Sequence, residues 1–219
     1  MRTETTTRNI YQFGELSDAA KEKAREWWRE NIDSEDYSAV IDDAVTMGAT
    51  LGIEIDSRRW TNSYNYTGSS PCIYWSGFSS QGDGACFEGS YRYQAKALAA
   101  IRKETSAGHD DASDGDRELL RIAEQLQEVQ KQNFYQLRAT CKHTGHYSHS
   151  GCMSVDVERY DGKNMQDGAE DDITQLLRDF ADWIYSQLDK ENDWLNSNEQ
   201  IDEAIECNEY EFTEDGERA

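Results

Sequence analysis

Apolar residues recur along the chain at two spacings, near every third or fourth position and at every second, and these divide it into helices and strands. Helical spacing first appears at Ala20, Ala24, Trp27 and Trp28, with Ser17 placed as an N-cap and the pattern running to about Asn31. Asp33-Ser34 restarts a second helix carrying Tyr37, Val40, Ile41, Ala44 and Val45. Further helical patterns cover about 95–105 and 114–132, divided by a polar loop from Ser106 to Asp114. In 170–195, Ile173, Leu176, Leu177, Phe180, Ile184 and Leu188 share one face, with Trp183 beside them. A last helix over about 198–207 has Ile201, Ala204 and Ile205 on its inner side.

Alternation marks the strands. Tyr11-Gln-Phe-Gly reads as a short extended segment, and Leu51, Ile53 and Ile55 place a strand in 51–60. Residues 72–78 and 85–93 read as strands around the turn Ser80-Gln-Gly-Asp-Gly. Residues 134–143 and 152–159 form a hairpin about Gly145 and Gly151, and Tyr210-Glu-Phe212 closes the fold. With one proline, no linker and no internal repeat, the expected architecture is a single α+β domain over 1–219. It has an antiparallel sheet with packed helices and an acidic, helical C-terminal subregion at about 165–208.

Composition first argues against such a core. Leu, Ile, Val and Phe together number 34 of 219 residues, and so small a share beside a high net charge is a signature of disorder. The 24 aromatic residues, six of them Trp, reverse that reading. Disordered chains are poor in aromatics, and each ring buries on the order of 150–250 Å².

Charge then narrows the function. The net charge is −22, from 44 acidic and 22 basic side chains. Residues 161–219 hold 19 of the acids and four of the bases. A protein that grips nucleic acid neutralises phosphates with Lys and Arg, so direct nucleic-acid binding is not expected, and anionic membranes repel this chain too. No run of about 18 apolar residues spans a membrane, and the N-terminus lacks the apolar stretch of a signal peptide. Five cysteines (Cys72, Cys86, Cys141, Cys152 and Cys207) form an odd, irregular set, pointing to a reducing cytoplasm.

Four features invite chemistry. Cys141, His143, His146, His149 and Cys152 lie within twelve residues and supply zinc-type donors. Their spacing matches no zinc pattern, and solvated hairpin residues are the plainer reading. Ser76-Gly-Phe-Ser-Ser-Gln-Gly-Asp-Gly-Ala has the glycines of an anion loop but no phosphate-loop spacing. Asp83 opposes a phosphate there, and Ser79 and Ser80 lack a nucleophile elbow. Carboxylate pairs suited to glycoside hydrolysis arise by chance among so many acids. The nine aromatics between Trp60 and Tyr93 suit a binding surface, although an aliphatic-poor protein also needs them inside.

The acidic helices remain. Asp179, Asp182, Asp189 and Asp193 share one face, and Glu199, Asp202, Glu203 and Glu206 recur at helical spacing. From Asp179 to Asp193 is about 21 Å of helix, roughly one charge per 7 Å, against about 1.7 Å for duplex DNA. One stripe is too sparse to imitate DNA; two acidic helices and the tail come nearer.

Four segments carry a resemblance: Tyr11-Gln-Phe-Gly-Glu-Leu-Ser-Asp-Ala-Ala-Lys-Glu-Lys-Ala-Arg-Glu-Trp, Gly77-Phe-Ser-Ser-Gln-Gly-Asp-Gly-Ala-Cys-Phe-Glu-Gly, His143-Thr-Gly-His-Tyr-Ser-His and Asn208-Glu-Tyr-Glu-Phe-Thr-Glu-Asp-Gly. With these the chain resembles a family of small acidic phage and prophage proteins, some labelled antitoxin-like. The resemblance implies a phage origin and an intracellular setting, and it assigns no catalytic residue.

The leading expectation is a non-enzymatic, cofactor-free, phage-encoded inhibitor of a host nucleic-acid-binding defence complex, of the anti-CRISPR or anti-restriction type. Its contact residues are Asp179, Asp182, Asp189, Asp193, Glu199, Asp202, Glu203 and Glu206. The alternatives are an antitoxin-like stoichiometric partner using Trp60, Tyr64 or Tyr66, and a metal-dependent enzyme built on His143, His146 and Cys152.

Overall fold

The computed structural model describes residues 8–32, 36–105 and 112–219. In chain order its elements are β1 (Tyr11–Gln12), a 3-10 turn (Phe13–Glu15), α1 (Asp18–Asn31) and α2 (Ser38–Leu51). Six strands follow: β2 (Ile53–Ile55), β3 (Ser57–Thr61), β4 (Thr67–Pro71), β5 (Ile73–Ser76), β6 (Gly84–Phe87) and β7 (Gly89–Arg92). Next come α3 (Ala97–Glu104), α4 (Asp114–Gln132), β8 (Leu137–His143), a 3-10 turn (Ser150–Cys152) and β9 (Met153–Arg159). The chain ends with α5 (Ala169–Leu195), α6 (Asn198–Cys207) and β10 (Glu211–Phe212). The fold class is α+β with antiparallel sheets. The chain divides into two compact units, one of residues 1–36 and 190–219 and one of 37–189.

The first unit is made from both ends of the chain. β1 pairs antiparallel with β10, Tyr11 opposite Phe212. Ser17 caps α1 by accepting the Ala20 N–H, and Ser197 caps α6 by accepting the Gln200 N–H. Ala20, Ala24 and Trp28 of α1 meet Ile201 and Ile205 of α6 over Phe13 and Phe212. Trp27 and Tyr210 pack edge-on at 5.2 Å, the rings supplying burial that scarce aliphatics do not. The Arg25 guanidinium forks onto both Asp202 oxygens, at 2.6 and 2.7 Å, and joins α1 to α6.

In the second unit, β2, β7, β8 and β9 form a four-stranded antiparallel sheet in that order. Ile53 faces Tyr91, Tyr91 faces Ala139, and His143 faces Met153. Alternation buries Leu137, Ala139 and Cys141 while Arg138, Thr140 and Lys142 point away. α4 locks onto this sheet through fully buried Gln130, which donates to the Leu137 carbonyl, accepts the Leu137 N–H and reaches the Tyr91 hydroxyl. α5 buries Ile173, Leu176, Leu177, Phe180, Ile184 and Leu188, each worth about 1.5–3 kcal/mol of apolar burial. β5 pairs with β6, and β3 with β4, as two further hairpins.

Several expected boundaries move. Leu51 ends α2 rather than starting a strand, because Gly52 turns left-handed there. The expected strand 51–60 is two strands, and 85–93 breaks at Glu88 into β6 and β7. Tyr11–Gly14 is extended only to Gln12. β8 begins at Leu137, since Phe134 and Tyr135 both take positive φ. The expected helix start at Asp33-Ser34 and most of the Ser106–Asp114 loop fall outside the described residues.

Candidate functional site

The acidic side chains are placed on both units. Asp179, on α5, is tied to Arg121 and accepts from Gln175 at 2.7 Å. Asp182 is exposed along its flank, yet desolvation of the carboxyl pushes its pKa up, partly offset by a hydrogen bond from Ser150. Asp189 is half-buried. In the first unit Asp202 is occupied by Arg25, whose pKa that contact raises, while Asp193, Glu199, Glu203 and Glu206 are exposed. Asp189, Asp193, Glu199, Glu203 and Glu206 make no Lys or Arg ion pair among the described residues. The first unit as a whole carries 20 acids against eight bases, a net of −12. Two of the eight predicted contacts, Asp179 in the larger unit and Asp202 in the smaller, therefore brace helices internally.

The aromatic segment splits in two. Phe87 and Tyr91 are buried, but Trp60 (44%), Tyr64 (80%) and Tyr66 (71%) stand exposed on the β3–β4 hairpin. The tip is preorganised: Asn62 Oδ1 accepts the N–H groups of Tyr64 and Tyr66, both at 3.0 Å. The Trp60 ring lies across Gly68 and donates its indole N–H to Ser70 Oγ at 2.9 Å. Hydrophobic patterning does not mark this hairpin, because Thr67–Pro71 contains no large apolar residue. The signal lay in charge: residues 57–82 hold no Asp or Glu and two arginines, Arg58 and Arg59. One residue in five of the whole chain is acidic, so a gap of that length stands out.

The two glycine-rich loops meet. Asp83 Oδ2 accepts the N–H groups of Ser79 and Ser80, at 3.0 and 2.6 Å, filling the donors an anion would use. Phe78 stacks on Tyr185 at 5.8 Å, and the Tyr185 hydroxyl donates to the Gly77 carbonyl. Gly84 of β6 lies against the His149 backbone and Cβ. The candidate metal donors, for which solvated hairpin residues are the plainer reading, do not gather: Cys141 is buried, His143 stacks on Tyr74 at 4.9 Å, and His146 is exposed beside Tyr147. Among the described residues no three His, Cys, Asp or Glu side chains converge to hold a metal ion. His149 and Cys152 do meet, at 3.5 Å.

The family model for a domain of unknown function, DUF8835, matches residues 37–198, about three quarters of the chain. The chain belongs to that family. The DUF8835 match takes in the hairpin, both glycine-rich loops and α5, while Glu199, Asp202, Glu203 and Glu206 lie beyond it. No curated protein and no solved structure matches the chain. Among the described residues no helix is long and apolar enough to cross a membrane.

Proposed function

We propose that this DUF8835 protein is a phage-encoded, non-enzymatic inhibitor acting in the host cytoplasm. It sets an acidic surface that imitates nucleic acid against the basic groove of a host defence complex, of the anti-CRISPR or anti-restriction type. The observation that carries this reading is the set of carboxylates that make no Lys or Arg ion pair among the described residues, Asp189, Asp193, Glu199, Glu203 and Glu206. A helix face of solvated acids stabilises nothing by itself, but it steers a basic partner at high on-rates and sets register on arrival.

The test is capture from nuclease-treated host lysate at low and high salt. A complex that itself binds nucleic acid should be retained at low salt and released by high salt or by short duplex DNA. A five-site variant with Asn or Gln at Asp189, Asp193, Glu199, Glu203 and Glu206 should retain roughly a hundredth of it, at about 0.5–1 kcal/mol per neutralised charge. It leaves Asp179 and Asp202 to their arginines, so folding is preserved. Undiminished capture by that variant would sink the proposal.

A second reading rests on the acid-free hairpin. Its Tyr, Ser, Asn and Gly with Trp and Arg match the make-up of surfaces that bind proteins through rigid rings and adaptable polar groups. An antitoxin-like partner held there is less sensitive to salt than one held by the acids, and Tyr64→Ala with Tyr66→Ala should cost that capture about tenfold or more. Capture unchanged by the double variant would remove this reading.

A further inference from the structure

Of the five cysteines, Cys72, Cys86 and Cys141 are buried. Burial pushes the Cys86 and Cys141 thiols up to about 12, which keeps them protonated and unreactive. Cys207 is exposed but is the last residue of α6, at the negative end of the helix and next to Glu206. Cys152 differs from all of these. It closes the 3-10 turn Ser150–Cys152, half-buried, with its Sγ 3.5 Å from His149 Nε2.

The tautomer of His149 follows from its other nitrogen. The Gly151 N–H donates to Nδ1 at 3.1 Å, so a neutral ring carries its proton on Nε2, aimed at the sulfur. The sulfur thus meets a ring nitrogen fixed within its own turn. The turn is seated firmly, for a Cβ at Gly84 would lie 2.6 Å from His149 Cβ. α5 closes the other side. Asp182 takes the Ser150 hydroxyl and places its charge near His149. One turn earlier Arg178 donates Nη2 to the Met153 carbonyl at 3.1 Å, beside Cys152. Its buried Nε has no hydrogen-bond partner among the described residues.

We infer that Cys152, held by His149 between the β8–β9 loop and α5, is a nucleophilic thiol that exchanges with small disulfides. The Cys152 thiolate attacks one sulfur of the disulfide, a new S–S bond forms and the old one breaks. The departing thiolate takes up the proton that Cys152 released, so Cys152 is oxidised and one half of the disulfide is reduced. This inference is independent of the acidic surface and of the hairpin.

Alkylation of the full chain by iodoacetamide at neutral pH, followed by peptide mapping, tests it. Cys152 should be labelled about tenfold faster than Cys207 although it is less exposed, on the order of the effect of one hydrogen bond at its sulfur. Oxidised glutathione should form one adduct, on Cys152. His149→Ala should bring the Cys152 rate down about tenfold and leave Cys207 unchanged. Unlabelled Cys86 reports that the fold is intact; where alanine exposes it, His149→Leu fills the space above Gly84 and is read in the same way. Faster labelling of Cys207 than of Cys152, an adduct elsewhere, or a Cys152 rate indifferent to His149 overturns the inference.

Discussion

Phe180→Ala is expected to lower the unfolding free energy by about 3–5 kcal/mol. Phe180 is fully buried at the middle of α5. Its ring meets Phe87 edge-on at 5.8 Å and stacks with Trp183 at 5.6 Å, and Gly48 of α2 approaches its tip. One side chain thus joins a helix, a strand and a second helix, and truncation removes contacts on all three sides in a close-packed interior. A domain of this kind holds about 5–15 kcal/mol in total, so the variant should unfold at much lower urea. Phe180→Leu, which keeps most of the volume, should cost less than about 1.5 kcal/mol. Urea titration followed by tryptophan fluorescence separates the two; equal midpoints for both variants would mean that the site relaxes and that the ring contacts matter little.

Gly52→Ala comes next, at about 2–5 kcal/mol, from two causes that a control can divide. Gly52 has φ +89°, which costs an L-residue about 1–2 kcal/mol. An added Cβ would also lie 2.2 Å from the Arg92 carbonyl oxygen, in the β2–β7 pairing that begins where α2 ends. Relieving that clash moves backbone, at about 1–3 kcal/mol more. Gly162 has φ +67° with nothing within 4 Å of the same position, so Gly162→Ala incurs only the conformational part. The difference between the two urea midpoints measures the close approach, and coincident midpoints would refute it.

Gly52 also shows why the sequence misleads there. Leu51, Ile53 and Ile55 alternate as a strand does, but Leu51 belongs to α2 and the left-handed glycine resets the pattern between them. Periodicity over three residues cannot distinguish that case from a continuous strand. Where it runs over many residues it is decisive: α4, α5 and α6 lie within a residue of their expected limits, with the serine cap of α1 correct as well. The polar hairpin was illegible because hydrophobic patterning says nothing about strands that bury no face.

The candidate sites divide on the same line. The grouping of His149 with Cys152 is written in adjacent sequence, three residues apart. Asp182 and Arg178 join it from α5, some thirty residues on, and only tertiary packing reveals that. The internal use of Asp179 and Asp202 was equally hidden, since their arginines come from α4 and α1. A charge stripe counted on a helix overstates what a partner meets by however many of its members have cations waiting elsewhere in the chain.

The pairing of β1 with β10 has a consequence in time. During synthesis, α1 emerges from the ribosome with half of its apolar face unpartnered, because Ile201, Ile205 and Phe212 are still to be made. The residues of the larger unit are translated in between. At about 5–20 residues per second that interval is on the order of ten to thirty seconds, ample for a domain whose contacts are already complete to fold. The route of the chain therefore gives the larger unit time to complete its own contacts while α1 still waits for Ile201, Ile205 and Phe212.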